Sequence, residues 1–167
     1  ADDAQASVLS LSRMMRYMLY DSEHGNTKLS SEIEFMKNYI DLMKLRLSSR
    51  VKLTVDFPEE FQDVDIPPLL FISFIENAFK HGVSYQGNSF INISLRAEGS
   101  LITFISQNSI TGSPAPGAPG VDSGIGLENI RKRLTLLFAD NYDLSIEESE
   151  TVYSVTLKLD TTKTAKS

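Results

Sequence analysis

Apolar positions set the outline of this chain. From about Ala4 to Tyr20 they recur with helical spacing, Val8, Leu11, Met15 and Met18 falling on a heptad with Leu19 beside them. Such a stripe either packs on the domain's own core or forms half of an intermolecular helical bundle; two heptads serve both. His24-Gly25-Asn26 breaks the helix. Ser31 and Glu34 have capping-box spacing, which predicts a second helix starting at Ser31, with Ile33, Met36, Ile40, Met43 and Leu47 along one face. Val51, Leu53, Val55 and Phe57 alternate as in a half-buried strand, which Pro58 ends. Pro67 and Pro68 predict a helix start, because proline's missing N–H costs nothing in a first turn. The stretch from Leu69 to Phe79 is apolar almost all round, so that helix is expected at the centre.

Two strands are predicted around Phe90–Leu95 and Leu101–Gln107, joined by a Glu98-Gly99-Ser100 turn. Ser109 to Ser123 is rich in Gly, Pro and Ser and poor in large apolar residues, as expected of a mobile loop. A helix is predicted from about Leu127 to Phe138, then a strand pair at Tyr142–Glu147 and Val152–Leu159, then a polar tail from Thr161. The order describes an α+β fold: a two-layer α/β sandwich whose mixed, mostly antiparallel sheet is covered on one face by helices, with an N-terminal helical extension. It lacks the strand–helix alternation of a doubly wound nucleotide fold.

Composition narrows the function. With 167 residues, 41% of them hydrophobic, the chain has material for one packed domain. Its net charge of −6, without a Lys/Arg block, disfavours nucleic acid. The absence of cysteine excludes disulfides and thiolate metal sites, and two distant histidines make a poor zinc centre. No apolar run is long enough for a membrane helix. The start at Ala-Asp-Asp-Ala, in mid-pattern, suggests an excised fragment.

The chemistry concentrates in two motifs. Asn77, Lys80 and His81 end the central helix, with Asn77 and Lys80 on one face. An Asn carbonyl is a hard oxygen ligand acceptable to Mg²⁺, and Lys80 adds charge suited to phosphates. The alternative is an ordinary helix end, where cations favour the dipole and Gly82 stops the helix. Gly124 and Gly126 permit close backbone approach, and their position before a helix turns free N–H groups toward an anion. Asn108 ends a strand with a side chain able to accept and donate, as reading an adenine edge requires. No Walker A motif and no protein-kinase Gly-rich loop with its catalytic Asp are present.

Over nearly its whole length the chain resembles the LytS-type sensor histidine kinases, within the superfamily that includes gyrase and a chaperone ATPase family. Leu11-Ser12-Arg13 to Tyr20 looks like the end of a dimerisation region, and Ser31 to Leu47 like the connecting helix. Ile66-Pro67-Pro68-Leu69-Leu70 running into Glu76-Asn77-Ala78-Phe79-Lys80-His81-Gly82 looks like the N box, and Gly124-Ile125-Gly126-Leu127 to Leu134 like the second glycine box. The resemblance implies residues 1–26 as a remnant of the dimerisation helix region, 27–160 as a catalytic ATP-binding domain and 161–167 as a polar tail. It implies Asn77 as ligand of Mg²⁺, Lys80 and His81 facing the phosphates of ATP, Gly124 and Gly126 approaching them, and Leu127 beginning the helix beside the nucleotide. It also implies transfer of the γ-phosphoryl group to a histidine, a second kinase subunit, a response regulator, and a cytoplasmic domain of a membrane-anchored protein.

Three departures qualify it. Asn108 stands where many relatives place an adenine-binding Asp. The usual first glycine box is missing after it, Ser109-Ile110-Thr111-Gly112 being a poor substitute. Neither His24 nor His81 lies in the family's acceptor context, which leaves the phosphoacceptor outside the chain. A hydrolase reading fails at Ser73, where hydrolytic relatives carry a general-base Glu. A nucleotide-binding or degenerate interaction module of the same fold, without kinase activity, is the remaining alternative.

Overall fold

The computed structural model describes residues 2–21, 23, 25–82, 87–110 and 123–163; His24, residues 111–122 of the expected loop and residues 164–167 lie outside them. In chain order the elements are α1 (Asp2–Arg16), a π-helical turn (Tyr17–Asp21), β1 (Thr27–Lys28), α2 (Leu29–Lys44), β2 (Val51–Asp56), β3 (Asp65–Ile66), α3 (Ile72–His81), β4 (Ser89–Glu98), β5 (Leu101–Ser109), α4 (Ser123–Phe138), β6 (Tyr142–Glu148), β7 (Val152–Asp160) and a 3₁₀ turn (Thr161–Lys163).

Five strands form one sheet in the order β2-β4-β5-β7-β6. β2 pairs parallel with β4, and every other neighbour is antiparallel. Period-two alternation decides which face is dry. Ile91, Ile93 and Leu95 of β4, Ile102 and Phe104 of β5, and Val155, Leu157 and Leu159 of β7 are buried, whereas Arg96 and Lys158 are exposed. The helices complete the same core with Ile33, Met36 and Ile40 from α2, Phe74 and Ile75 from α3, and Leu134 and Phe138 from α4. Phe71, at the mouth of α3, stacks on Phe104 at 5.0 Å between ring centroids. Each such buried aromatic stabilises by roughly 1.5–3 kcal/mol. That anchors α3 through its inward face and leaves its outward face for polar residues.

The expected α+β sandwich is thus found, with differences in detail. α2 starts at Leu29, not Ser31, and its N-cap Lys28 makes no side-chain capping bond. The first-turn donors are satisfied from outside: Asp63 accepts from the Ser30 N–H (2.8 Å) and hydroxyl (2.7 Å), so the Ser31–Glu34 box is not needed. The short β1–β3 ladder, pairing Thr27 with Ile66 and Lys28 with Asp65, belongs to the same join. Pro67 and Pro68 do not open α3, which begins at Ile72 after a turn in which Leu69 takes φ 61°. α4 begins at Ser123, ahead of the expected Leu127.

The heptad stripe of α1 does not face the domain core. Its members are exposed, from 49% (Leu11, Met18) to 64% (Val8). The buried residues are Met14 and Tyr17, packed with Phe35 of α2 and bordered by Tyr39, Leu42, Leu69 and Ile72. Tyr17 and Phe35 stack at 4.9 Å.

Candidate functional site

α3 divides its residues cleanly. Phe74, Ile75, Ala78 and Phe79 are buried, while Asn77, Lys80 and His81 are exposed at its C-terminal end. Partial burial, with the Lys80 charge beside it, pulls the His81 pKa below its ordinary value and favours the neutral imidazole. Lys80 is exposed, so its charge is available to an anion.

The helix stops at Gly82, whose N–H donates to the Ala78 carbonyl at 2.8 Å. Glycine is required there by space rather than torsion. Its φ is −84°, open to any residue, but a Cβ would stand 2.6 Å from the Ala78 oxygen, 2.8 Å from Asn108 Cβ and 2.9 Å from Ile91 Cγ1. This approach brings the end of α3 against the end of β5. Asn108 is 2% exposed, in register with Ile91 of β4 and Tyr153 of β7. Its Nδ2 donates to the Ser109 carbonyl at 3.1 Å, so one amide hydrogen is committed within the chain. The Ser109 hydroxyl oxygen in turn accepts from the Phe90 N–H at 2.9 Å. The strand end carrying Asn108 is therefore fixed on both sides.

Gly124 and Gly126 lie in the first turn of α4 rather than in a turn before it. Leu127 does not begin the helix; it is half-buried against the core. The first four N–H groups of a helix have no intrahelical partner. Among the described residues nothing lies within 4 Å of a Cβ added at Gly126, so the space beside this turn is open. α4 is tied to the segment leading into α3 by Arg133, whose Nη2 donates to the Pro68 carbonyl (2.6 Å) and Nη1 to the Leu69 carbonyl (3.0 Å).

Sequence reasoning missed this tie and its partner, Glu32. That carboxylate is 1% exposed on α2, accepting from the Tyr17 hydroxyl and from the Leu70 N–H (3.1 Å). Burial pushes its pKa up, opposed by those hydrogen bonds and by the Arg133 charge. The signal was present in the sequence: Glu32 sits at helical spacing between Leu29 and Met36, an acid inside an apolar stripe.

Among the described residues no group of three His, Cys, Asp or Glu could hold a metal unaided. Asn77 fits a magnesium ion of another kind, one that takes few protein ligands and completes its shell with water and phosphate oxygens. Its exposed carboxamide, next to a lysine and a neutral imidazole, suits a metal arriving with a polyphosphate.

Comparison with known proteins adds a second line. Residues 1–51 match the histidine kinase family model. The chain is 32% identical over 134 residues to the sensor histidine kinase BtsS of Escherichia coli, a match covering 78% of this chain and 23% of BtsS. It is 26% identical over 160 residues to the sensor histidine kinase/phosphatase LytS of Staphylococcus aureus, covering 89% of this chain and 27% of LytS. The chain thus spans about a quarter of these curated relatives. Among solved structures, the histidine kinase domain of the Erythrobacter litoralis EL346 blue-light activated histidine kinase superposes with a TM-score of 0.57 at 16% identity, covering 97% of this chain and 81% of that one. Among the described residues no helix is long and apolar enough to cross a membrane.

Proposed function

The chain is a relative of the LytS-type sensor histidine kinases with the fold of histidine kinase catalytic domains, and from that premise we propose that it binds Mg-ATP and transfers the γ-phosphoryl group to a histidine outside this chain. The observation that supports the reading most is the contact at Gly82, which puts the Asn77-Lys80-His81 end of α3 beside Asn108 of β5. Two segments assigned to the proposed nucleotide site from separate stretches of sequence are thereby neighbours.

In this reading Asn77 holds the magnesium ion and Lys80 neutralises phosphate charge. His81, neutral, offers a hydrogen bond without adding charge. The N–H groups of the first turn of α4, at Gly124 and Gly126, which have no intrahelical acceptor, donate to phosphate oxygens. Asn108 accepts a hydrogen bond from the adenine amino group. Magnesium, when bound, would supply charge neutralisation to the triphosphate; phosphoryl transfer asks the protein mainly for positioning.

Residues 1–26 are then a remnant of the dimerisation region, 27–160 the catalytic domain and 161–167 a tail. The exposed Val8, Leu11, Met15 and Met18 stripe fits a second kinase subunit. A response regulator is the further partner, and the whole protein is a membrane-anchored sensor with this domain in the cytoplasm.

Calorimetric titration of ATP with and without Mg²⁺, on the wild type and on Asn77→Ala, tests the proposal. Wild-type binding is expected to need Mg²⁺ and the variant to lose that dependence. Undiminished Mg-dependent affinity in Asn77→Ala would remove the metal assignment, and no ATP binding by the wild type would favour the degenerate module.

A further inference from the structure

Three consecutive residues, Pro68, Leu69 and Leu70, are gripped by side chains from two different helices. Arg133 of α4 donates to the carbonyls of Pro68 and Leu69, and Glu32 of α2 accepts from the N–H of Leu70. Between these holds Leu69 lies at φ 61°. A leucine with positive φ is uncommon and persists where its surroundings over-determine it. The side chain of the same residue packs into the cluster of Met14, Tyr17 and Phe35, while its carbonyl faces α4. Tyr17 closes the circuit: its hydroxyl donates to Glu32, and it opens the π-helical turn that ends α1. Such turns are frequent at functional positions.

We propose that the Pro68–Leu70 turn is a joint coupling α1 to α4: Leu69, locked in left-handed backbone between Glu32 and Arg133, passes the position of Tyr17 to the helix whose first turn carries Gly124 and Gly126. The physical route is short. When α1 moves so that the Tyr17 hydroxyl withdraws, the buried Glu32 carboxylate loses a donor. A buried charge with fewer partners re-orients or is neutralised. The Leu70 bond loosens, and Leu69 is free to return to ordinary backbone. The two carbonyls then leave the fork geometry that the Arg133 guanidinium requires, and α4 loses its tie to the segment entering α3. The joint has two discrete arrangements, locked and released, as transmission between sites requires. Its consequence for catalysis rests on α4 forming the phosphate end of the site as proposed above; the mechanical coupling does not.

Hydrogen exchange of the nucleotide-free chain separates the two. In Tyr17→Phe the amides of residues 127–134 are expected to lose about tenfold in protection, the scale of one hydrogen bond to a charged group, while those of β4 and β5 keep theirs. Arg133→Lys is expected to match that loss, since one ammonium cannot span two carbonyls. Glu32→Gln, which keeps an acceptor for Leu70, is expected to retain most of the protection that Glu32→Ala loses. In a Leu69→Gly background the joint carries no strain and no side chain, so Tyr17→Phe is expected to leave α4 unchanged. Unaltered α4 protection in Tyr17→Phe, an equal loss throughout β4 and β5, or an undiminished effect in Leu69→Gly would each overturn the joint. Mg-ATP affinity measured on the same proteins judges the nucleotide reading: a wild type that binds none rejects that reading, while the exchange result stands on its own.

Discussion

Gly82 and Asn108 touch so closely that no side chain fits between them: a methyl group on Gly82 would stand 2.8 Å from Asn108 Cβ. The contact joins two arms of the candidate site that lie on different elements, the polar end of α3 and the end of β5.

Gly82→Ala is therefore expected to destabilise the fold by roughly 1–3 kcal/mol, the usual cost of overpacking a filled site. Two of the three crowded atoms, the Ala78 carbonyl oxygen and Asn108 Cβ, are backbone or next to it and cannot swing aside. Urea denaturation reads the change as a lower midpoint with the slope retained. A variant as stable as the wild type would show that α3 and β5 separate freely.

Asn108→Ala is expected to weaken ATP and ADP binding by similar factors, because the residue sits at the proposed base end of the site. Calorimetry with both nucleotides measures the ratio. A loss confined to ATP would reassign Asn108 to the γ-phosphate.

His81 provides a pH test. Its folded-state pKa is lowered, first by burial and then by Lys80, so the neutral ring suits the fold. The sign follows from linkage: its contribution to stability is complete above the unfolded value of about 6.5 and is lost as pH falls through the lower folded value. Bound triphosphate favours the charged ring, so Mg-ATP is expected to raise the midpoint. NMR titration of the imidazole with and without Mg-ATP checks both shifts, and a midpoint indifferent to nucleotide would take His81 away from the phosphates.

The chain is also expected to bind Mg-ATP without acquiring acid-labile phosphate. Its two histidines are His24 and His81. His81, on the proposed phosphate-binding face, is poorly set for in-line attack, which needs reacting atoms aligned about 3–3.5 Å apart. Labelled ATP, acid and base stability tests, and the His24→Gln and His81→Gln variants decide the point. Stoichiometric acid-labile label on either residue would place the acceptor inside this chain.

What the sequence made legible follows from range. Alternation at Val51–Phe57, Leu101–Gln107 and Val152–Leu159 is a local signal, and those strands appear where expected. β1 and β3 are two residues each, too short for any period to register. The start of α4 was set too late because Gly124 and Gly126 are weak helix formers, a preference that context overrides. The Ser31–Glu34 box was pre-empted by Asp63, and the Glu32–Arg133 grip works through backbone atoms of Pro68, Leu69 and Leu70, partners distant in sequence. The proposed roles of Asn77, Lys80, His81 and Asn108 rest on a contiguous motif and a strand end; the crowding of Gly82 by Ala78, Asn108 and Ile91 was not legible, since only the folded chain brings them together.

The parallel pairing of β2 with β4 bears on how the molecule comes into being. The β4–β5 hairpin closes through a two-residue turn with Gly99 at φ 60°, a local event on the scale of about 1–10 μs. β2 reaches β4 only across the stretch from Phe57 to Asn88, which contains α3. Long-range closure of this kind is slow, because chain entropy is lost before contacts repay it, and β7 reaches β5 across a longer stretch still. The β4–β5 hairpin that carries Asn108 is therefore the local unit to which β2 on one edge and β7 on the other are added by long-range pairing.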